Sequence, residues 1–399
     1  MKNTNELEHL QITGMSILSL VVYSSGYKKT ILNDFLFCIV PQYCAIMFPD
    51  SIWILYICLA MLIKYPKIRR DHESTSEKTS VIDYMRFTIS ALVVIAIYGV
   101  DFVIFDKRLG KSHYLGVSMM DIGVGSFIYN SGVVRCRSRF QKRHIKSYLA
   151  LILLGFVRFF FIRWFGINVN PKEYGTHLNF YFLLAAVNLI CSAIKCRHNL
   201  LLGLLIVTVY EVILKFSGLM FFIFSDERRT FLEKNKEGIV AIVPYVSIFL
   251  MATEVGKICL SQEKIRRKAL RALGMSGLFG CLYVAFCLSS EGSRRLGNGA
   301  FVFWVLTLHT FHLGIYMLLE SMIVMYRPLV ATFCSSNMMF VFLFSNLIVL
   351  LGNVFFDLRS FSPMAGHLNM LSYLISVFLV PTLLASRFDL RWIGLGYRS

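Results

Sequence analysis

The chain has 399 residues, of which 56% are hydrophobic and 16% charged, with a mean hydropathy of +0.63, whereas a soluble domain carries roughly 25% charged residues. That balance excludes a water-soluble enzyme. The net charge of +18 does not point to nucleic acid, because the bases sit in short loops between apolar runs and not on one solvated face.

A spanning helix needs about 20 largely apolar residues. In chain order the candidates are 12–27, 31–48, 50–65, 86–105, 114–134, 148–165, 177–196, 199–224, 238–256, 270–288, 300–322, 332–355 and 368–386. No polar block between them is long enough to fold alone, so residues 1–399 form one all-α, polytopic membrane domain of about 13 transmembrane helices. The polar start, MKNTNELEHLQ, lacks a cleavage signature, and the first span is expected to direct insertion. Internal repeats and low-complexity segments are not seen. Cys38, Cys44, Cys58, Cys191, Cys281, Cys287 and Cys334 lie in apolar runs and no C-x-x-C occurs, so ordinary thiols are expected and not a disulfide framework.

Alternate loops are basic. They contain Lys64, Lys67, Arg69, Arg70 and Lys78, then Arg135, Arg137, Arg139 and Lys146, then Lys195 and Arg197, then Lys257, Lys264, Arg266 and Arg267; the C-terminal end adds Arg387, Arg391 and Arg398. Cytoplasmic loops collect Lys and Arg, which assigns these loops and the C-terminus to the cytosol. The intervening loops 171–176, 225–237 and 289–299 mix acids, bases and glycines and fall on the opposite face. Thirteen spans put the N-terminus on that face too; twelve, without 12–27, return it to the cytosol.

Ionisable groups inside spans are costly and usually face a cavity or a partner. Here they are Asp101, Asp121, Arg158, Arg163, Glu211, Lys215, Glu254, His309, His312 and Glu320. Asp101 ends one span and Lys111 follows across a short loop, so the two are expected to meet, as a proton-transfer pair or a structural ion pair. Asp121 stands in MMDIGVGSF, and helical spacing puts Ser118, Asp121, Gly125 and Gly132 on one side. Either another helix packs closely there, with Asp121 bonded across the interface, or a groove admits a lipid headgroup. The glycines follow no strand and make no phosphate-binding fingerprint. His309 and His312 in HTFH share a helix face without an evident third ligand, so no metal is expected; one of them as the catalytic histidine of a membrane-bound O-acyltransferase stays open. No G-x-S-x-G occurs.

Several segments together carry a resemblance: VDFVIFDKRLGK running into GVSMMDIGVGSFIYNSGVV, LLGFVRFFFIRW followed by EYGTHLNFYF, YE at Tyr210 and Glu211, NKEGIVAIVPYVSIFL, SRRLGNGAFVFW and NMMFVFLFSNLIVLLGN. In order and spacing the chain resembles the inositol acyltransferases of glycosylphosphatidylinositol (GPI) anchor synthesis. It departs from that pattern in short hydrophilic loops, a weakly similar N-terminal third, and NGAFVFW where a Leu-Pro-Tyr type sequence is usual. The resemblance implies a multi-pass enzyme of the endoplasmic reticulum membrane with a luminal working face. Its implied reaction moves a long, palmitoyl-type acyl chain from acyl-CoA to an inositol hydroxyl of glucosaminyl-phosphatidylinositol. Acyl-CoA is then a co-substrate, and no cofactor is needed.

Such a transfer needs a base, a cation for the developing oxyanion, and alignment of two large amphiphiles. Asp101 is the expected base, Lys111 the expected oxyanion or carboxylate partner, and Asp121 the second-choice base. Arg229, Lys236, Arg294 and Arg295 are candidate phosphate contacts, and His177, Asn179, Glu237, Asn298 and Asn346 candidate partners of sugar hydroxyls. Arg108, Ser118, Gly125, Glu173 and Tyr174 join the substrate-binding set from the resembling segments. Two rivals come from other classes. A proton-coupled secondary transporter would want acids near the bilayer midplane and a two-fold repeat; a non-catalytic scaffold or receptor would use the polar stripes only to pack helices.

Overall fold

Apolar runs in a bilayer must satisfy their backbone polar groups internally, which leaves the helix as the working element. The computed structural model describes residues 5–69, 80–136, 142–166, 170–194 and 196–388, and among these it has helices and no strand longer than an isolated bridge. Arg70, Lys78, Arg137, Arg139, Lys195, Arg391 and Arg398 lie outside the described residues. The helices are α1 (Glu6–Ser24), α2 (Ile31–Cys38), α3 (Val40–Met47), α4 (Ile52–Met61), α5 (Ser80–Gly99), α6 (Gly123–Arg135), α7 (Lys142–Trp164), α8 (Phe180–Ala193), α9 (Asn199–Phe216), α10 (Leu219–Phe224), α11 (Phe231–Cys259), α12 (Ile265–Cys287), α13 (Gly299–Met322), α14 (Leu329–Ser336), α15 (Met338–Phe355), α16 (Pro363–Leu374) and α17 (Val380–Phe388). The ten cysteines are all free thiols.

Among the described residues, eight helices are long and apolar enough to cross a membrane: α5, α7, α9, α11, α12, α13, α15 and the continuous α16–α17. A ninth is obtained if α2–α3 and α4, bent by 111° about Pro49, count as one broken span. Several expected spans are shortened or interrupted by local chemistry. Residues 114–122 stay out of α6 because the Asp121 carboxylate accepts from the backbone N–H of Ser112 and Ser118, which commits that stretch to a turn. The 199–224 run breaks at Gly218, whose φ of 74° a helix does not tolerate, and the 332–355 run breaks at Asn337 between α14 and α15.

Three helices occupy the centre: the spanning windows of α5, α11 and α13 are 78%, 72% and 72% buried, against 17% to 28% for α7, α9, α12 and α15. Small residues set the closest crossing. A Cβ on Gly132 of α6 would stand 2.6 Å from the Phe249 carbonyl oxygen of α11, and one on Gly256 of α11 would stand 2.3 Å from that of Val133.

At one end of the bundle the mixed-charge loops lock together. Residues 100–122 meet 289–298 through the Asp121–Arg294 ion pair at 2.9 Å and the Arg295 Nη1–His113 carbonyl bond at 3.1 Å. The 170–179 loop is tied to 225–235 by Lys172–Asp226 at 3.0 Å and by the Thr176 N–H to the Lys234 carbonyl at 2.8 Å. Gly175 takes φ 99°, and a Cβ there would lie 2.5 Å from Asn235 Cα, so only glycine permits this approach. Glu8 of α1 joins the same end through Arg108 at 3.2 Å.

Candidate functional site

Beneath the locked loops lies a cavity. Ile89, Leu92, Val93, Ala96 and Ile97 of α5 make one wall, Val124 and Phe127 of α6 with Phe180 of α8 another, and Phe342 with Asn346 of α15 a third. Its walls are mostly apolar and its polar groups few: Lys111, Glu173, Tyr174, Arg158, Ser126, His309 and Asn346. That is the composition of a small-molecule site.

Lys111 and Glu173 come from different loops and meet here, with Lys111 Nζ 2.5 Å from Glu173 Oε1. The Lys111 side chain keeps 37% exposure and lines the cavity. Burial pushes the Lys111 ammonium below the ordinary lysine range, and the Glu173 charge pulls it part of the way back. Burial alone raises the Glu173 carboxyl, but the positive charges of Lys111 and Arg294 outweigh it and hold the acid below its usual range. Tyr174 is pushed up to about 12 by burial and by the adjoining Glu173 charge.

Asp101 and Lys111 do not pair. Asp101 lies in the turn after α5, where its Oδ2 accepts from Asn353 Nδ2 at 2.8 Å, and it lines a separate surface pocket with Asp357 and Arg359. The expected ion pair is corrected to Asp101–Asn353 and Lys111–Glu173, because the loop from 100 to 122 carries the two side chains to different neighbours. Asp101 does not line the cavity, but both of the elements that hold it do. Ile97 lines the cavity one turn earlier on α5, and Asn346 and Asn353 lie on one face of α15 about 10 Å apart along its axis. Burial raises the Asp101 carboxyl, while the Asn353 bond and Arg359 oppose it.

Asp121 is fully enclosed. Its Oδ2 accepts from Ser112 N at 3.0 Å, Ser118 N at 2.9 Å and Ser118 Oγ at 2.8 Å, and its Oδ1 accepts from Arg294 Nε at 2.9 Å. The nearby Gly125 serves packing, since a Cβ there would come within 2.9 Å of Val305. These residues brace the wall next to the cavity.

Several other expected ligand contacts are committed within the fold. Arg108 is held by Glu8, Asp50 and Asp106, and Arg229 pairs on the surface with Glu227 at 3.5 Å. Buried Lys236 donates to the Ser225 carbonyl at 2.7 Å and to Ser225 Oγ at 2.6 Å, capping α10. Glu237 binds Arg228 at 2.5 Å and Arg295 at 3.6 Å. Asn298 and Asn179 cap α13 and α8. Of the expected set, Lys111, Glu173, Tyr174 and Asn346 line the cavity.

His309 also lines it, with Nε2 2.7 Å from Ser126 Oγ, whereas His312 Nδ1 donates to the Leu308 carbonyl of its own helix at 2.7 Å. The two imidazoles thus serve different partners. Arg158, singled out in the sequence only as an ionisable residue in a span, lines this cavity and also an adjoining polar pocket with Arg163, Tyr174, His177 and Asn179. The available signal was two arginines in one apolar helix with no acid beside them.

The family model described as GWT1 matches residues 4–384. An uncharacterized protein of Arabidopsis thaliana is 29% identical over 88% of this chain and 86% of its own length. A GPI-anchored wall transfer protein 1 of Yarrowia lipolytica is 27% identical over 90% and 82%. A phosphatidylinositol-glycan biosynthesis class W protein of Dictyostelium discoideum is 26% identical over 82% and 80%.

Proposed function

The chain belongs to the GWT1 family, and from that membership we propose that it works in GPI-anchor biosynthesis as an O-acyltransferase. The donor is acyl-CoA and the acceptor an inositol hydroxyl of glucosaminyl-phosphatidylinositol in the endoplasmic reticulum membrane. The observation that carries this reading is the apolar cavity with the Lys111–Glu173 pair at its polar end. Apolar walls suit an acyl chain, and in this reading a thioester at the polar end would meet the Lys111 cation.

In the proposed step the inositol oxygen attacks the thioester carbonyl carbon and its proton passes to the Asp101 carboxylate. The C–S bond then breaks, and CoA leaves as a thiolate that takes up the proton Asp101 releases, which restores the carboxylate. A carboxyl raised by burial is a better base than a solvated one, which supports Asp101. Lys111 offers its ammonium to the developing oxyanion. Glu173 holds that ammonium in place.

Purified protein given acyl-CoA and glucosaminyl-phosphatidylinositol should add the mass of one acyl chain to the lipid. Asp101→Asn and Lys111→Ala are expected to lower turnover by roughly 10² or more each while leaving the protein folded. Near-normal turnover in both variants would overturn the assignment of roles, and absence of product from the wild type would overturn the reaction. A second reading is favoured by the position of His309 beside the same cavity: if His309→Ala is inactive and Asp101→Asn active, the base is the histidine.

A further inference from the structure

We propose that the polar pocket at the end of α7 binds a phosphate ester group of one of the two substrates, through Arg158, Arg163 and His177. The inference rests on the acyltransfer reading for the identity of the ligand, and on local geometry for the site. The pocket is walled by the last turns of α7 and by residues 170–179, and among the described residues no carboxylate lines it. Among the described residues neither Arg158 nor Arg163 makes a hydrogen bond or an ion pair; Arg163 is exposed in the last turn of α7, while the half-buried Arg158 lies a turn and a half deeper in a candidate span, where its nearest acid, Glu173, acts on it only at a distance. Two such groups in one pocket leave a local excess of positive charge, which attracts an anion and focuses its approach.

His177 adds a directed donor. Asn235 Oδ1 accepts from the backbone N–H of His177 at 2.9 Å and of Leu178 at 3.2 Å, which fixes its amide orientation. Asn235 Nδ2 therefore donates to His177 Nδ1, at 3.1 Å, and the ring proton of the neutral imidazole is on Nε2. That N–H has no protein acceptor among the described residues, and His177 lines the pocket.

Guanidinium groups fork two N–H donors onto phosphate oxygens. Arg158 and Tyr174 belong to both pockets. A ligand with an apolar chain in the cavity can thus keep its phosphate on the arginines. The candidates that sequence reasoning put forward for this task, Arg294, Arg295 and Lys236, have protein partners instead.

Both substrates carry phosphate, and the test separates them. Calorimetric titration of CoA, and separately of glycerophosphoinositol, into purified full-length protein in detergent is expected to give binding of at least one. Arg158→Gln and Arg163→Gln should each weaken that binding by about tenfold or more, Arg163→Lys should recover part of it, and added salt should weaken the wild type. Loss for CoA assigns the pocket to the donor, and loss for glycerophosphoinositol to the lipid phosphodiester. A wild type that binds neither probe, or Gln variants that melt and bind like the wild type, would overturn the proposal. Acyl transfer measured on the same preparations keeps the two claims apart. Binding that depends on the arginines in a protein that makes no acyl product sinks only the reaction, and product formation with unchanged KM for both substrates in both Gln variants sinks only the pocket.

Discussion

Replacing Asp121 by alanine should damage the fold before it touches the chemistry. The Asp121 carboxylate is 0% exposed and accepts four hydrogen bonds, three from the loop of Ser112 and Ser118 and one from Arg294 Nε. Its removal leaves the Arg294 guanidinium, itself 7% exposed, without its ion-pair partner and with only the more distant Glu173 charge opposite it. Breaking a buried pair from one side costs about 3–5 kcal/mol, more than a hundredfold in the folding equilibrium. Two backbone N–H groups lose their acceptor as well, at roughly 1–3 kcal/mol each if no water replaces it. These costs are not additive, because one cavity serves all the orphaned donors.

Even the lower figure is a large share of the 5–15 kcal/mol typical of native proteins. Asp121→Ala should therefore give little monodisperse protein in detergent and a clearly lowered melting temperature. Asp121→Asn keeps the shape, but it has one acceptor oxygen and turns an amide N–H₂ toward a donor, so it should fall between. The assay is melting together with acyl transfer per folded molecule. If Asp121→Ala melts like the wild type yet transfers nothing, the carboxylate belongs to the chemistry and the bracing role is wrong.

Two further outcomes follow from the same geometry. Activity that needs Lys111 protonated should fall at alkaline pH earlier than an ordinary lysine would dictate, because burial lowers its ammonium. Glu173→Gln removes the charge that raises it back, so the falling limb should move to still lower pH; a pH–rate profile with the limb unmoved, or moved up, refutes the coupling. Lys236→Met should lower melting by removing the donor from the Ser225 carbonyl, with an unchanged KM for acyl-CoA, and a raised KM without a melting change would restore Lys236 to the phosphate contacts.

Which loops work together was legible before any coordinates. Counting lysines and arginines assigned 171–176, 225–237 and 289–299 to one face, and those loops do interlock there through Lys172–Asp226 and Arg295–Glu237. Charge bias acts on whole segments during insertion, so a count over each loop captures it. Pairing inside the loops was not legible. Lys111 meets Glu173 across 62 positions and Asp101 meets Asn353 across 252, and sequence spacing favours neighbours such as Asp101 and Lys111. Hydropathy likewise missed where apolar runs stop being helical. It reads 114–122 as continuous with α6, whereas one carboxylate bonding two backbone N–H groups turns that stretch into a loop.

Partner status separates bracing cations from candidate site cations better than position does. Arg108, Arg228 and Arg294 each face a carboxylate, and their guanidinium groups hold loop to loop. Lys111 also faces one, yet it retains surface toward the cavity. Among the described residues Arg158 and Arg163 form no ion pair, and Glu173 reaches Arg158 only through its charge across the cavity. A chain of 41 basic and 23 acidic residues has bases to spare, and most of a surplus belongs in solvent or at the headgroup level. Arg158 sits instead where an apolar cavity and a polar pocket adjoin. The nearest acid, Glu173, acts on it only at a distance and is itself bonded to Lys111, so an anionic ligand would supply a direct partner on binding. On that argument the two α7 arginines should matter more to substrate KM than to melting, the reverse of Arg294, whose charge is already spent on Asp121.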